Sequence, residues 1–508
     1  MSFRSIALDP FDRHNQRLAA NTHPDDYINP KPQGRYNLVV VGAGTAGLVT
    51  AAVAAGMGAK VALIEKALMG GDCLNVGCVP SKGVIEAARS VVAAQRSQRF
   101  GTRGTSAIQG DFRAAMERTR RLRADISAHD SVARFTGLGV DVFLGAARFR
   151  DPESIEVAGE TLKFAKAVIC TGARAAAPSI PGLDQVDYLT NESLFSLVEA
   201  PRRLGVIGAG PIGCEMAQAF SALGCEITLI ETSGRVLPRE DADASAVLEA
   251  RFAEDGVLLE KSVRNLEVSS GPDGAVSLHY SRENQAKKVE VDRLLIAVGR
   301  KPNVEGLDLD KAGVEFTDQG VRIDDFFRTS NKRVFAAGDI CSPYKFTHAA
   351  DFMARSVIRN ALFGGRARHS KLIVPWTTYT APEIAGVGLN QEGAERAGID
   401  IDTFTQPMAE VDRAILEGET EGFARVYVRR GTDKIVGATI VAPNAGDMIG
   451  AVTLAMNHKI GLGAIASAIH PYPTQADAVR KLGDLYNRTR LTPAVAKLFR
   501  WWLHWTRR

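Results

Sequence analysis

A duplication constrains the fold of this chain more than any other feature. The run Leu38-Val-Val-Val-Gly42-Ala-Gly44-Thr-Ala-Gly47 returns as Leu204-Gly-Val-Ile-Gly208-Ala-Gly210-Pro-Ile-Gly213. After each copy come a helix-like segment and a second apolar strand ending in an acid, Val61-Ala-Leu-Ile-Glu65 and Ile227-Thr-Leu-Ile-Glu231. The acid follows the first glycine at the same distance in both. One glycine fingerprint says little; two, each with strand, helix and acid in matching places, predict two βαβ dinucleotide-binding units. The glycines permit a tight turn and let the backbone approach a pyrophosphate at the positive end of the following helix. The acid accepts hydrogen bonds from ribose hydroxyls.

Just beyond the first copy lies Gly70-Gly71-Asp72-Cys73-Leu74-Asn75-Val76-Gly77-Cys78-Val79-Pro80-Ser81-Lys82. Two cysteines beside a nucleotide-binding turn read as a dithiol/disulfide wired to a redox cofactor. In a regular helix, residues five apart rise about 7.5 Å, whereas a disulfide needs its Cα atoms within roughly 7 Å. The segment therefore has to begin irregularly, and Gly77 supplies the backbone freedom.

The chain has 508 residues, a length that suggests three domains; 45% of the residues are hydrophobic and 24% charged, as in a soluble globular protein. A net charge of +4 gives no argument for nucleic acid or an acidic substrate. Six cysteines do not make a structural disulfide framework. Cys170, Cys214, Cys225 and Cys341 stand singly in apolar patterns, as buried inert thiols do. The residues before Tyr36 lack a continuous apolar run, so no secretory signal is expected and the location is read as cytoplasmic. Leu38 to Ala59 carries no charge and is long enough to suggest a membrane span. Its five glycines favour a buried strand, a turn and a helix instead, and no transmembrane segment is expected.

Ala167-Val-Ile-Cys170-Thr171-Gly172 and Leu294-Leu-Ile-Ala-Val-Gly299-Arg300 read as strands ending in glycine turns that bracket the second nucleotide unit. Val334-Phe-Ala-Ala-Gly338-Asp339 is another buried strand, ending in a carboxylate. From about Lys371 the pattern changes to strands (Ala424 to Val428, Ile435 to Val441) and two helices, a third domain without a nucleotide fingerprint. The tail Phe499-Arg-Trp501-Trp502-Leu-His-Trp505-Thr-Arg507-Arg508 holds three of the four tryptophans. Packing on a neighbouring subunit or on the body of the fold is the favoured reading, with weak membrane-surface contact as the alternative.

Together these residues resemble the class I flavoprotein disulfide reductases, the pyridine nucleotide-disulfide oxidoreductases that include dihydrolipoamide dehydrogenase, glutathione reductase and mercuric reductase. GGDCLNVGCVPSK, both glycine fingerprints, CTGARAAAPSIPG, AVGRKPN and AAGD carry the resemblance from Tyr36 to about Asn487, and the mercuric-reductase-like branch is nearest. The fold it implies is α/β, with two Rossmann-like domains and a C-terminal α+β dimerisation domain. The implied boundaries are an extension over 1–35, an FAD domain over 36–184 and 298–368, an NAD(P) domain over 185–297, a dimerisation domain over 369–487 and a basic aromatic tail over 488–508.

The resemblance assigns FAD to Gly42, Gly44 and Gly47, with Glu65 on its ribose and Ala147 near the adenine. Thr171 and Gly172 line the crossing between domains, Asp339 holds the ribityl chain, and Lys345-Phe-Thr-His348 lies near the flavin. The nicotinamide nucleotide goes to Gly208, Gly210 and Gly213, with Gly299 nearby. Glu231 favours NADH over NADPH, although Arg235 and Arg239 follow closely. Cys78 is implied to be the thiol beside the flavin and Cys73 the interchange thiol facing the acceptor. Lys82 is implied to sit by the flavin N5 and to pair with Glu215. No metal-ligand set is assigned, and the molecule is implied to be a homodimer with a shared active site.

The chain departs from this pattern in three places. Disulfide-reducing relatives carry a His–Glu pair near the C-terminus as acid/base; here, in His470-Pro471-Tyr472-Pro473-Thr474-Gln475-Ala476-Asp477, Tyr472 and Asp477 take those positions. A tyrosine with a pKa about 10 is a poor base beside a histidine near 6.5, and His470 is the alternative proton carrier. Mercuric reductase uses a further cysteine pair near its C-terminus, whereas no cysteine follows Cys341 here. Asp72 replaces the usual threonine. The reading is an NAD(P)H oxidoreductase with FAD and a redox-active disulfide, acting on a soft metal ion, a quinone-like compound or a small disulfide. Dihydrolipoamide dehydrogenase and a slow flavin redox sensor are the rivals.

Overall fold

The computed structural model describes residues 8–104, 108–271 and 274–507. Residues 1–7 of the extension and Arg508 of the tail lie outside the described residues. The chain divides into two compact units, residues 1–209, 216–230 and 263–372, and residues 210–215, 231–262 and 373–508. Both belong to a mixed α/β fold.

In the first unit, the helix α1 (Arg13–Thr22) precedes the strand β1 (Arg35–Val41), α2 (Thr45–Gly56) and β2 (Val61–Glu65). Then come α3 (Gly71–Asn75), α4 (Cys78–Arg96) and α5 (Phe112–Ile126), followed by β3 (Asp141–Leu144), β4 (Ala147–Asp151), β5 (Ser154–Val157) and β6 (Glu160–Ile169). The sheet order is β3-β2-β1-β6-β5-β4, with Val334–Ala336 paired in parallel to β6. β3, β2, β1, β6 and Val334–Ala336 run parallel.

The valine-rich run of β1 suits a strand covered on both faces. Leu38 and Val40 pack with Leu63, Ala51, Met353 and Val357 on one side. On the other, Val39 and Val41 pack with Ile64, Phe149 and Phe164. Each such side chain, fully buried, contributes about 1.5–3 kcal/mol. The uncharged stretch from Leu38 is thus strand, turn and α2. No helix among the described residues is long and apolar enough to cross a membrane.

The duplication is structural. Leu38 pairs with Val61 in parallel, and Leu204 of the strand Arg203–Ile207 pairs with Ile227 of the strand Glu226–Ile230 in the equivalent register. The first fingerprint glycine donates to the second strand in each copy, Gly42 N to Ile64 O at 2.8 Å and Gly208 N to Ile230 O at 2.9 Å. The helix Pro211–Ala222 follows the second turn, as α2 follows the first. Arg293–Ile296 extends the second parallel set, and Arg264–Ser270, Val276–Arg282 and Gln285–Val291 form an antiparallel sheet.

The described part of the extension before Tyr36 packs on the body of the fold. Leu18 and Ala19 of α1 are buried with Leu68, Leu74 and Ala124, so α1 packs on α5 and on the cysteine segment. The short polar look of the sequence hid this, because few apolar residues are enough to seat a ten-residue helix.

In the second unit five antiparallel strands run in the order Pro375–Thr378, Glu383–Gly388, Ile435–Ala442, Phe423–Arg429, Ile401–Pro407. The helices Ala445–Asn457 and Asp477–Thr489 bury Met448, Ile449, Val452, Val479 and Leu482 against them. Chain after Thr492 forms one more helix, Pro493–Trp505, none of whose residues is buried. Val495 and Ala496 are half-buried and the rest of this helix is exposed, so it is not sunk into the body of its own chain.

Candidate active site

The glycine turn and the cysteine segment meet directly. Gly70 N donates to Ala43 O at 2.8 Å, and a Cβ on Gly71 would lie 2.6 Å from the Gly44 Cα, so only glycine allows the contact. Cys73 sits in the single turn of α3, the chain breaks at Val76 and Gly77, and Cys78 opens α4. A Cβ on Gly77 would stand 2.8 Å from the Asp72 carbonyl oxygen, which brings the second cysteine back toward the first. The irregular start expected from the spacing is this break between two helices.

The Cys73 and Cys78 side chains interact directly, and with both as thiols Cys73 is the donor toward the Cys78 sulfur. That bond holds the Cys78 thiol down to about 6, against the opposing effect of desolvation; Thr347 and the Lys82 ammonium assist. The Cys78 sulfur lies 3.3 Å from Thr347 Oγ1. The Cys73 thiol is pushed far up, first by its bond to Cys78 and then by burial, so it keeps its proton. An exposed thiolate and a neighbouring protonated thiol can lose two electrons and one proton to form a disulfide.

Asp72, directly before Cys73, is paired. Its Oδ2 lies 2.8 Å from Arg300 Nη2 and its Oδ1 accepts from Asn191 Nδ2 at 3.1 Å. Arg300 also donates to Ala173 O at 2.6 Å and stands 3.5 Å from Asp339. Burial raises the Asp339 carboxyl, and Arg300 counters it. Sequence reading named Asp72 and Asp339 separately. It missed the arginine between them, although Arg300 lies inside a quoted motif.

The other expected residues are placed as follows. Glu65 is buried and accepts from Ala43 N at 2.7 Å and Ala67 N at 2.8 Å. Ala147 opens β4 opposite Val157. Thr171 Oγ1 donates to Asn303 O at 2.9 Å, and Asn303 N donates to Gly172 O at 3.0 Å, so the Arg-Lys-Pro-Asn run after Gly299 clamps the Thr-Gly turn. His348 is exposed and stacks on Phe346 at 5.4 Å. Thr347, its neighbour, is the residue that reaches Cys78, and only its place in the quoted Lys345–His348 segment could have signalled it.

Glu215 is buried in the second unit and accepts from Tyr379 N at 2.9 Å, while Lys82 belongs to the first unit. Glu231 accepts from Ser233 N at 2.8 Å, and Arg235 pairs with Glu392 at 2.5 Å. The Tyr472 hydroxyl donates to Asp412 at 2.8 Å and is held above its ordinary value by that bond. Asp477 pairs with Arg480 at 2.7 Å, and His470 Nδ1 is 3.1 Å from Ala468 O. Tyr472 and Asp477 thus each have another partner on their own chain.

These residues fit a flavin nucleotide. α2 opens on Gly44 with no side chain capping it, as a pyrophosphate site requires. The buried Arg300 Nε has no hydrogen-bond partner of its own.

Residues 36–354 match the family described as pyridine nucleotide-disulphide oxidoreductase, and residues 374–482 match its dimerisation domain. The chain belongs to this family. A mercuric reductase of Bacillus cereus is 34% identical over 93% of this chain and 74% of its own length. A dihydrolipoyl dehydrogenase of Thermus scotoductus is 31% identical over 89% and 98%. Among solved oxidoreductases, the HOCl-induced flavoprotein disulfide reductase RclA from Escherichia coli superposes with a TM-score of 0.78 at 28% identity, covering 89% of this chain and all of that one. LpdA from Mycobacterium tuberculosis gives 0.80 at 27%, over 89% and 99%. The oxidoreductase is therefore of the mercuric reductase, lipoamide dehydrogenase and RclA type, a type that works with FAD and NAD(P).

Proposed function

We propose that this oxidoreductase moves electrons from NADH through FAD and the Cys78/Cys73 pair to a thiol-reactive acceptor. The acceptor would be a soft metal ion, a quinone-like compound or a small disulfide. One observation carries the reading: Cys73 and the exposed Cys78 stand on either side of one helix break, on a segment bonded to the first glycine turn, with the Cys78 sulfur 3.3 Å from Thr347 Oγ1.

FAD would be held by the turn from Gly42 to Gly47, with Glu65, Ala147, Thr171, Gly172, Asp339 and His348 around it. NADH would be held by Gly208, Gly210, Gly213, Glu231 and Gly299. The corresponding domains would be 36–184 with 298–368, and 185–297. When bound, the flavin supplies hydride acceptance from the nicotinamide and two-electron exchange with a disulfide. The chain's own part is to fix Cys78 as a thiolate beside Lys82 and Thr347, and to leave the Cys73 proton in place until Cys73 attacks. NADH is favoured because Glu231 opposes a 2′-phosphate and Arg235 is engaged with Glu392.

A dihydrolipoamide dehydrogenase needs a base at the C-terminal position. Tyr472, its hydroxyl committed to Asp412, does not supply one near neutral pH. A homodimer would let a partner copy bring Tyr472 and Asp477 to the cysteines. The deciding experiment is an acceptor screen on the purified holoenzyme with NADH and NADPH, using lipoamide, glutathione disulfide, Hg(II), Cu(II) and quinones. Steady NADH consumption with a metal ion or quinone, lost in Cys73→Ser, supports the reading. Fast lipoamide turnover transfers it to the first rival, and no turnover with any acceptor leaves the sensor.

A further inference from the structure

We propose that the helix Pro493–Trp505 is an interfacial anchor that lies on an anionic phospholipid surface. The helix is well begun: Thr492 caps it, accepting from Val495 N at 3.3 Å, and proline stands in its first turn. Yet none of its residues is fully buried. Leu498, Phe499, Trp501, Trp502, Leu503 and Trp505 are each between 52% and 63% exposed. A stable helix that leaves three tryptophans in water within its own chain has an apolar partner elsewhere.

The arrangement of its side chains names that partner. At about 100° per residue, Lys497, Arg500 and His504 fall within about 60° of one another, while the apolar residues from Val495 to Trp505 occupy about 200° of the circumference. A helix packed on another helix needs an apolar stripe about 100° wide. This arc is about twice as wide, and the tryptophans are spread along it, as suits a helix sunk to its sides in a headgroup layer.

Charge points the same way. No acidic residue follows Asp484, while Arg488, Arg490, Lys497, Arg500, Arg507 and Arg508 are all basic. A second copy would bring like charge against like charge, whereas anionic headgroups complement it. At 13 residues the helix is about 20 Å long, too short for a hydrocarbon core about 30 Å thick, so it lies along the surface. This inference stands independently of which acceptor the enzyme reduces.

The test uses the full-length holoenzyme with vesicles of phosphatidylcholine alone and of phosphatidylcholine mixed with phosphatidylglycerol. Three of the four tryptophans lie in the helix, so a blue shift of tryptophan emission accompanies insertion and complements co-sedimentation. Binding to the anionic vesicles is expected to be at least about tenfold tighter than to the neutral ones, and to weaken with salt. Lys497→Glu with Arg500→Glu should cost at least about tenfold, as should Trp501→Ala with Trp505→Ala. NADH oxidation in solution stays unchanged, because none of these residues packs on the body. Absence of vesicle binding overturns the proposal, and so does equal binding to both vesicle types that charge reversal leaves intact. Removal of residues 492–508 that halves the mass in solution, without any vesicle binding by the parent, assigns the helix to a subunit contact instead.

Discussion

Asp72 Oδ2 stands 2.8 Å from Arg300 Nη2, so the residue that precedes Cys73 is tied to the guanidinium that also faces Asp339. Arg300 is mostly buried and keeps its charge because Asp72 and Asp339 outweigh its desolvation. Asp72 also raises both thiols by charge repulsion, a minor effect at each. Asp72→Thr should move the Cys78 ionisation below about 6, seen as a lower midpoint in the pH profile of alkylation of the reduced protein. It should also cost about 1–2 kcal/mol of stability, because Arg300 then keeps Asp339, at 3.5 Å, as its one carboxylate beside the Ala173 carbonyl. An unchanged midpoint would remove Asp72 from the electrostatics of the pair.

In the parent protein, Cys78 should alkylate with a midpoint near pH 6. The thiolate is the reactive form, so the rate rises as pH rises through 6 and levels off above it. Lys82→Met and Thr347→Val each remove a group that lowers this value, and each should shift the midpoint upward. Cys73→Ala removes the donor beside Cys78, and its midpoint reports how much of the effect is the hydrogen bond. A midpoint near 9 in the parent would contradict the geometry of the pair.

Local rules made much of this structure readable. Two glycine fingerprints with strands and acids at matched distances gave two parallel βαβ units, because backbone geometry at such turns tolerates few alternatives. The cysteine spacing gave an irregular start for the same kind of reason. The bridge from Asp72 through Arg300 to Asp339 was not readable, since it joins residues far apart in sequence and no pattern marks which arginine a buried carboxylate will meet. Thr347 was missed because its histidine neighbour looked more chemical. The seat of α1 was missed because hydrophobic packing by Leu18 and Ala19 leaves little trace in a polar segment.

Arg123 braces the cysteine segment from behind. Its Nη1 donates to Asn75 O at 2.7 Å and its Nη2 to Asn15 Oδ1 at 2.8 Å, and burial, with Arg120 nearby, lowers it to about 10. Arg123→Met leaves two buried acceptors without their donor, which costs about 1–3 kcal/mol each at most. Amide hydrogen exchange should quicken across residues 71–78, and the two thiols should lose their difference in alkylation rate. Protection equal to that of the parent would show that α1 and α5 do not hold the segment.

Tyr472 can be tested by restoring the base. With its hydroxyl donated to Asp412, its ionisation lies above the ordinary tyrosine value. Tyr472→His should raise glutathione disulfide or lipoamide reduction by on the order of tenfold or more, since a positioned general base contributes at least that much. The NADH–flavin half-reaction should not change, which a stopped-flow measurement separates. If disulfide reduction does not rise, the missing base was not the limitation.

Glu240 offers a prediction in the second unit. It accepts from Trp376 Nε1 at 2.6 Å, and burial raises its carboxyl from 4.5 to about 7 despite that bond, with Asp241 adding to the rise. Between those two values the folded protein holds one more proton than the unfolded chain. Stability therefore falls as pH rises from about 4.5 to about 7, and this group contributes no further change above that. Glu240→Gln keeps an oxygen for Trp376 and never ionises. It should be more stable than the parent at pH 8, by up to about 3 kcal/mol, and equal to it at pH 4. Denaturant melts at the two pH values measure this, and a variant equally stable at both relative to the parent would mean that Glu240 ionises in the fold as it does in water.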